Sequence, residues 1–212
     1  MSMASRWLRN AAVCTAWCVL AAGAGAAQAF ILKAPPDALR LVEWIHRSGD
    51  NHGRPFAVVD KRNARLYVFG ADGRLAGSTV ALLGATRGDH TVPGVSERAQ
   101  TGSIRSDERT TPAGRFEAQP GQNLQGEHVV WVDYDSAFAI HRVRPGKSWK
   151  MRAERLASAS PADKRVSWGC VVVPVEFYRR VVGPVLGAER SVVYVLPETQ
   201  PVRALFGALD AS

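Results

Sequence analysis

The stretch RVSWGCVVVP, from Arg165 to Pro174, contains Cys170, and the sequence has no other cysteine after Cys18. The glycine before the thiol lets the backbone turn sharply and approach a ligand closely. The three valines after it are typical of a buried strand. A thiol between a turn and a buried strand has three interpretations: a nucleophile, a small buried hydrophobe, or half of an intermolecular disulfide.

The first 29 residues have the order of a secretory signal peptide. Arg6 and Arg9 form a basic start without acids, an alanine-rich apolar run follows, and the AQA that ends at Ala29 offers small residues for cleavage. A membrane anchor is the alternative, but the apolar run is short and interrupted by glycine. We therefore expect cleavage near Ala29 and a periplasmic or otherwise exported protein with Cys170 as its single cysteine.

The positive charge of the chain is concentrated in one segment. The net charge of the 212 residues is +8, and removal of Arg6 and Arg9 leaves +6. Residues 142–165 contain eight basic and two acidic residues, which is also +6, so the rest of the exported chain is balanced. The segment either attracts carboxylates or is a solvated helix face without a partner. Nucleic acid is a poor partner for an exported protein whose basic segment has Trp149 as its one aromatic residue.

The pattern of β-rich segments predicts a mainly β fold with a few short helices. We expect an N-terminal helix and linker at 30–55, a catalytic domain at 56–197 and a C-terminal tail at 198–212. A long polar segment at 85–114 is expected to be functional or mobile. Strands are predicted at FAVVD, RLYVFG, RLAGSTVALLG, RFEAQP, HVVWVDYD, SAFAIHRV and SVVYVLP, and helices at DALRLVEWIHRSGD, SWKMRAERLASAS and VEFYRRVVGPVL.

A nucleophilic cysteine needs a base, and histidine is the usual one. His141 ends the apolar segment AFAIH, where its ring would emerge from the core at the end of a strand. This position makes His141 the candidate base for Cys170. The other four histidines are predicted to be surface or structural residues: His46, His52, His90 and His128.

Three motifs in this order resemble the YkuD-like L,D-transpeptidases: TTPAGRF at 110–116, AIHR at 139–142 and VSWGCVVVP at 166–174. The resemblance runs from about residue 56 to residue 197. It implies a mostly β, sandwich-like catalytic domain that reworks peptidoglycan stem peptides by acyl transfer through a cysteine. It also implies that the reaction requires no metal or cofactor. The acyl acceptor would be a second stem, the amine of an anchored protein, or water.

The resemblance also assigns roles to individual residues. Cys170 would be the nucleophile, and His141 would take the thiol proton and later return it. The resemblance implies the following supporting residues: Arg142, whose carbonyl orients the ring; Gly169, whose N–H joins that of Cys170 in an oxyanion hole; and Ser167, Trp168 and Val172, which contact the substrate.

The sequence departs from the family pattern in three places. Trp168 replaces the usual histidine of a Ser-His-Gly-Cys motif, and Val172 replaces a usual asparagine or arginine. The 25 residues between His141 and Ser167 also exceed the usual spacing. These departures keep open the alternative of a retired domain that binds peptidoglycan without catalysis. A papain-like endopeptidase is disfavoured because its cysteine generally precedes its histidine.

Overall fold

The computed structural model describes residues 34–207, and the predicted signal peptide lies outside the described residues. The mainly β fold with a few short helices is confirmed. No helix between residues 34 and 207 is long and apolar enough to cross a membrane. The strands are β1 (Phe56–Asp60), β2 (Arg65–Phe69), β3 (Leu75–Val80), β4 (Leu83–Gly84), β5 (Gly114–Gln122), β6 (His128–Asp133), β7 (Phe138–Arg142), β8 (Arg165–Ser167), β9 (Val171–Val173) and β10 (Ser191–Leu196). The helices are α1 (Pro36–Ser48), α2 (Val95–Thr101), α3 (Trp149–Ala157), α4 (Val175–Phe177) and α5 (Gly183–Leu186), with a π-helical segment at Tyr178–Val182 and 3₁₀ helices at Ser106–Glu108, Pro161–Lys164 and Val202–Ala204.

Eight strands form one mixed sheet in the order β3-β2-β1-β10-β5-β6-β7-β9. The two ends of this sheet meet, because the chain leaving β3 pairs with β9. Leu82 and Val172 exchange both backbone hydrogen bonds, at 2.8 and 2.9 Å. The sheet is therefore nearly closed, and its curvature gives two facing layers. The short parallel pair of β4 and β8 lies at this seam.

The inside of the curled sheet holds the main hydrophobic core. Valine and other apolar side chains of β1, β2, β6, β7, β9 and β10 meet there, and the helical run at 175–186 contributes Tyr178, Val182 and Leu186. Side chains alternate between the two faces of a strand. Phe138 and Ile140 of β7 face this core, so Ala139 and His141 face the other side.

A second core lies on the outer face of β1, β2 and β10. Leu41 and Ile45 of α1 pack there, and Phe56 stacks on Phe69 with ring centroids 4.6 Å apart. Phe206, which follows the last 3₁₀ helix, packs on the same cluster. The described parts of the predicted N-terminal helix and C-terminal tail thus cover the sheet, because its outer face is apolar and would otherwise meet water.

The polar segment at 85–114 is tied to the domain by buried charge. It contains α2 and a 3₁₀ helix, so it is not structureless. The Lys61 ammonium has no exposed surface and donates to Asp89 Oδ1 (2.8 Å), the Gly88 carbonyl (2.6 Å) and the Thr111 carbonyl (2.8 Å). Asp89 in turn accepts from the backbone N–H groups of residues 198–200. The cluster joins the end of β1, the polar segment and the chain after β10.

Candidate active site

Cys170 and His141 lie on one face of adjacent strands. Cys170 immediately precedes β9, which runs parallel to β7 with His141 opposite Val172. Because Ile140 faces the main core, His141 faces the opposite side. Cys170 and Val172 pack there with Val143 and Leu82. We call this side of β7 and β9 the site face. The parallel pairing of β7 and β9 brings two residues 29 positions apart (170 minus 141) to the same surface.

The His141 ring is buried and held in one tautomer. The residue is 6% exposed, and its Nδ1 lies 2.8 Å from the Arg142 carbonyl oxygen. A carbonyl only accepts, so Nδ1 carries the proton and Nε2 is an acceptor. Burial, the positive charge of Arg144 and that of Arg152 lower the pKa of His141 to about 3, although the Arg142 carbonyl opposes the shift. The ring is therefore neutral near neutral pH. The Arg142 carbonyl occupies the orienting position that the sequence resemblance implies.

The Cys170 thiol is free and partly exposed, and it is engaged with a backbone carbonyl. Sγ donates to the Ala137 carbonyl oxygen at 3.4 Å. Among the hydrogen bonds of residues 34–207, none joins the sulfur to the His141 ring. Burial raises the pKa of the Cys170 thiol above its ordinary value, while the Ala139 N–H and the charges of Arg144 and Arg152 act in the opposite direction. The resting site is a neutral thiol beside a neutral imidazole.

The turn that presents the thiol, residues 167–170, is fixed by two hydroxyl groups. Ser167 Oγ donates to the Cys170 carbonyl (2.6 Å) and accepts from the Gly169 N–H (3.1 Å). Thr111 Oγ1 donates to the Gly169 carbonyl (2.7 Å) and accepts from the Gly84 N–H (2.9 Å). Thr111 is itself held by Lys61 through its carbonyl. The thiol position thus depends on contacts far away in sequence.

Glycine is required at position 169. Its φ is +133°, and a Cβ there would lie 2.9 Å from the Thr110 carbonyl oxygen. The predicted oxyanion role needs a correction for this resting structure, because the Gly169 N–H is already bonded to Ser167 Oγ. That N–H becomes available only if the Ser167 hydroxyl moves. The Cys170 N–H, which contributes to lowering the pKa of its own thiol, is the better placed donor.

Two of the three residues predicted to contact the substrate are buried in this structure. Val172 is 1% exposed because it packs with Leu82 and Val143, and Ser167 is 5% exposed because its hydroxyl lies inside the turn. Trp168 is different, with 45% of its surface exposed. The Arg109 guanidinium lies over its ring, 5.6 Å from the centroid. Trp168 is therefore the member of this trio that a ligand can contact.

The basic segment at 142–165 contains α3, which packs beside the site face, and four of its eight basic side chains are in ion pairs within the described chain. Leu156 of α3 packs on the cluster that contains Cys170 and Val172. Lys164 is buried, and its ammonium donates to the Ser158 carbonyl at 2.5 Å. The ion pairs of the segment are Arg142 and Arg144 with Glu127, Arg155 with Asp163, and Arg165 with Glu198.

The other four histidines are surface residues. Within the described chain, no hydrogen bond joins Cys170 to any of them: His46, His52, His90 or His128.

A surface cavity of about 300 Å³ is bordered by the β6–β7 turn, which also supplies the Ala137 carbonyl. The part of the chain that the structure describes has no cluster of three or more histidine, cysteine or acidic side chains suited to a metal ion. The lining residues of the cavity are Thr91–Gly94, Ser96, Glu97, Asp135 and Ser136.

Sequence reasoning missed the supports of the site. Lys61 and Asp89 carried no motif, and only the apolar segment before Lys61 places it near a buried strand end. Thr111 was part of the quoted TTPAGRF motif, but its contact with Gly169 cannot be read from spacing. Ala137 has a positive φ of 49°, which is uncommon outside glycine, and the sequence gives no signal of it.

Comparison with solved structures gives a weak likeness to an L,D-transpeptidase domain. No family model matches the chain, and no curated protein matches it. Among solved structures, the chain is similar to the NMR structure of the catalytic domain from the E. faecium L,D-transpeptidase. The identity is 19%, the TM-score is 0.33, and the match covers 68% of this chain and 98% of that one. This likeness is too weak to assign the chain to a family.

Proposed function

We propose that this chain is an exported cysteine acyltransferase that acts on peptidoglycan stem peptides, an L,D-transpeptidase. The observation that carries the proposal is the pairing of a partly exposed free thiol with a buried imidazole on one sheet face. The imidazole is neutral and oriented, so its Nε2 can accept a proton. The substrate class comes from the three sequence motifs that resemble the family.

The reaction begins when the thiol leaves the Ala137 carbonyl and turns toward His141. The proton passes from Sγ to Nε2, and the sulfur attacks the carbonyl carbon of the stem peptide. The Cys170 N–H faces the developing oxyanion. The C–N bond breaks, the leaving amine takes the proton from Nε2, and a thioester remains on Cys170. An acceptor amine or water then attacks the thioester, gives a proton to Nε2, and the released sulfur recovers it.

A second candidate is a domain that binds peptidoglycan without catalysis. The resting hydrogen bond from the thiol to Ala137 favours it, because a thiol engaged there is not activated. The raised pKa of Cys170 and the lowered pKa of His141 also oppose proton transfer in the empty site. Catalysis therefore requires that substrate binding brings the two groups together.

Intact-mass analysis separates the two functions. The protein without its signal peptide is mixed with a tetrapeptide stem or with a carbapenem, and the mass is followed over time. An acyltransferase gains an adduct that maps to Cys170, and Cys170→Ser does not. Binding of the stem by Cys170→Ser and wild type alike, with no adduct on either, would support the binding domain instead.

Trp168 tests which histidine position matters. Trp168→His restores the residue that the family usually has, while His141 stays in place. We expect acylation to continue in this variant with an altered preference among stems, because the exposed indole contacts the ligand and His141 accepts the proton. His141→Ala should slow acylation by about a hundredfold or more. A large gain of activity on every stem in Trp168→His would show that the proton acceptor belongs at position 168.

A further inference from the structure

Arg152 lies on the face of α3 that packs beside the site face. Leu156 of α3 packs on the cluster that includes Cys170 and Val172. Arg152 precedes Leu156 by four residues, so the two side chains lie on the same helix face one turn apart. The guanidinium therefore projects toward the site face. In agreement, its charge acts on both Cys170 and His141.

Arg152 is also a partly buried cation without an anion. Within residues 34–207, no ion pair or hydrogen bond is made by its guanidinium. Arg144 and Arg155 on either side of it in sequence are both paired, with Glu127 and Asp163. Lys147 and Lys150 have no partner in the described chain either, but they are exposed to water. Removing an unpaired charge from water is costly, so a partly buried one is a ready site for an anion.

We infer that Arg152 binds a carboxylate of the molecule that reacts with Cys170, and so selects anionic over neutral reactants at the thiol. The planar guanidinium can donate two parallel hydrogen bonds to a carboxylate, which fixes orientation as well as charge. Arg144 adds positive potential but is already shared with Glu127. If the proposed function holds, the bound group is a carboxylate of the stem peptide near the scissile bond.

Two small alkylating agents test this inference without peptidoglycan. Iodoacetate and iodoacetamide both replace iodide with the Cys170 sulfur, and only iodoacetate carries a carboxylate. The ratio of their rates cancels the general reactivity of the thiol. We expect this ratio to fall about three- to tenfold in Arg152→Gln, because a nearby unpaired charge is lost. An unchanged ratio would overturn the inference.

Matched variants on the same helix show whether charge at this position is the cause. Arg152→Lys keeps the charge, so its iodoacetate to iodoacetamide ratio should stay close to that of wild type. Arg155→Gln, one turn away and paired with Asp163, should leave the ratio as in wild type. If Arg155→Gln lowers the ratio as much as Arg152→Gln does, the effect is a general field of the segment, and the assignment to Arg152 is wrong.

Salt gives a test on the unaltered protein. Added salt screens the attraction, so the iodoacetate to iodoacetamide ratio should fall with ionic strength. A free cysteine peptide should show the opposite trend, because its thiolate repels iodoacetate. If the iodoacetate to iodoacetamide ratio falls in Arg152→Gln but wild type forms no stem-peptide adduct, this inference stands and the acyltransferase is rejected. A stem-peptide adduct on wild type, together with an unchanged ratio in Arg152→Gln, would support the acyltransferase and reject this inference.

Discussion

The buried neutral His141 should make the protein less stable as the pH falls toward 5. The pKa of His141 is about 3 in the folded protein, whereas an unfolded histidine has a pKa of about 6.5. Below about 6.5, the unfolded chain binds a proton that the folded chain does not. The contribution of His141 to the free energy of unfolding is therefore at its maximum above about pH 6.5, and it falls progressively down to about pH 3. Between about pH 7 and about pH 5, the loss is about 2 kcal/mol.

The measurement is urea unfolding of wild type and His141→Gln at these two pH values. Glutamine retains a donor for the Arg142 carbonyl but does not titrate. The wild type should lose about 2 kcal/mol more unfolding free energy than the variant between about pH 7 and about pH 5. His90→Gln, which replaces an exposed ring, should follow the wild type. Equal losses in wild type and His141→Gln would refute the conclusion that the ring is buried and neutral.

Three further predictions concern the thiol and its supports. The rate of alkylation of Cys170 by iodoacetamide should still be rising at pH 9, because burial raises the pKa of the thiol; a plateau near neutral pH would contradict this. Lys61→Met should lower the unfolding free energy by about 3–5 kcal/mol in urea titrations, because it leaves Asp89 buried without its cation. Gly169→Ala should cost more than about 1 kcal/mol and slow Cys170 alkylation, because the new methyl group meets the Thr110 carbonyl; wild-type values for both would show that the turn is not strained by a side chain.

The fold was predictable where the chain has a clear pattern. The hairpin of β1 and β2, the strands β5 to β7 and β10, and the helices α1 and α3 all fall on segments with β-rich or helical patterns. The closure of the sheet was not predictable. It depends on the Leu82–Val172 bridge, which joins residues 90 positions apart (172 minus 82), and no local pattern reports such a pairing. The predicted helix at 175–186 exists, but it contains a π-helical segment that periodicity does not show.

The candidate site was predictable in its two principal groups but not in its surroundings. A single cysteine after the predicted signal peptide and a histidine at a predicted strand end made Cys170 and His141 the candidate pair, and both lie on the site face. The roles of Ser167 and Val172 could not be judged, because exposure depends on which face of β9 and of the turn meets α3. The exposure of Trp168 agrees with its predicted place beside the substrate. Its stacking with Arg109 required the tertiary structure.

The location of Cys170 depends on a chain of contacts that begins at the buried ammonium of Lys61. Lys61 fixes the carbonyl of Thr111, and the hydroxyl of Thr111 fixes the carbonyl of Gly169, the residue before the thiol. Each link is buried, so each unsatisfied group would cost about 1–3 kcal/mol. The turn therefore cannot drift toward His141 while these bonds are intact. What can change at low cost is the rotation of the Cys170 side chain, because the hydrogen bond that its thiol donates to Ala137 is long and comes from a weak donor. Activation of the site is thus a matter of side-chain rotation on a fixed backbone.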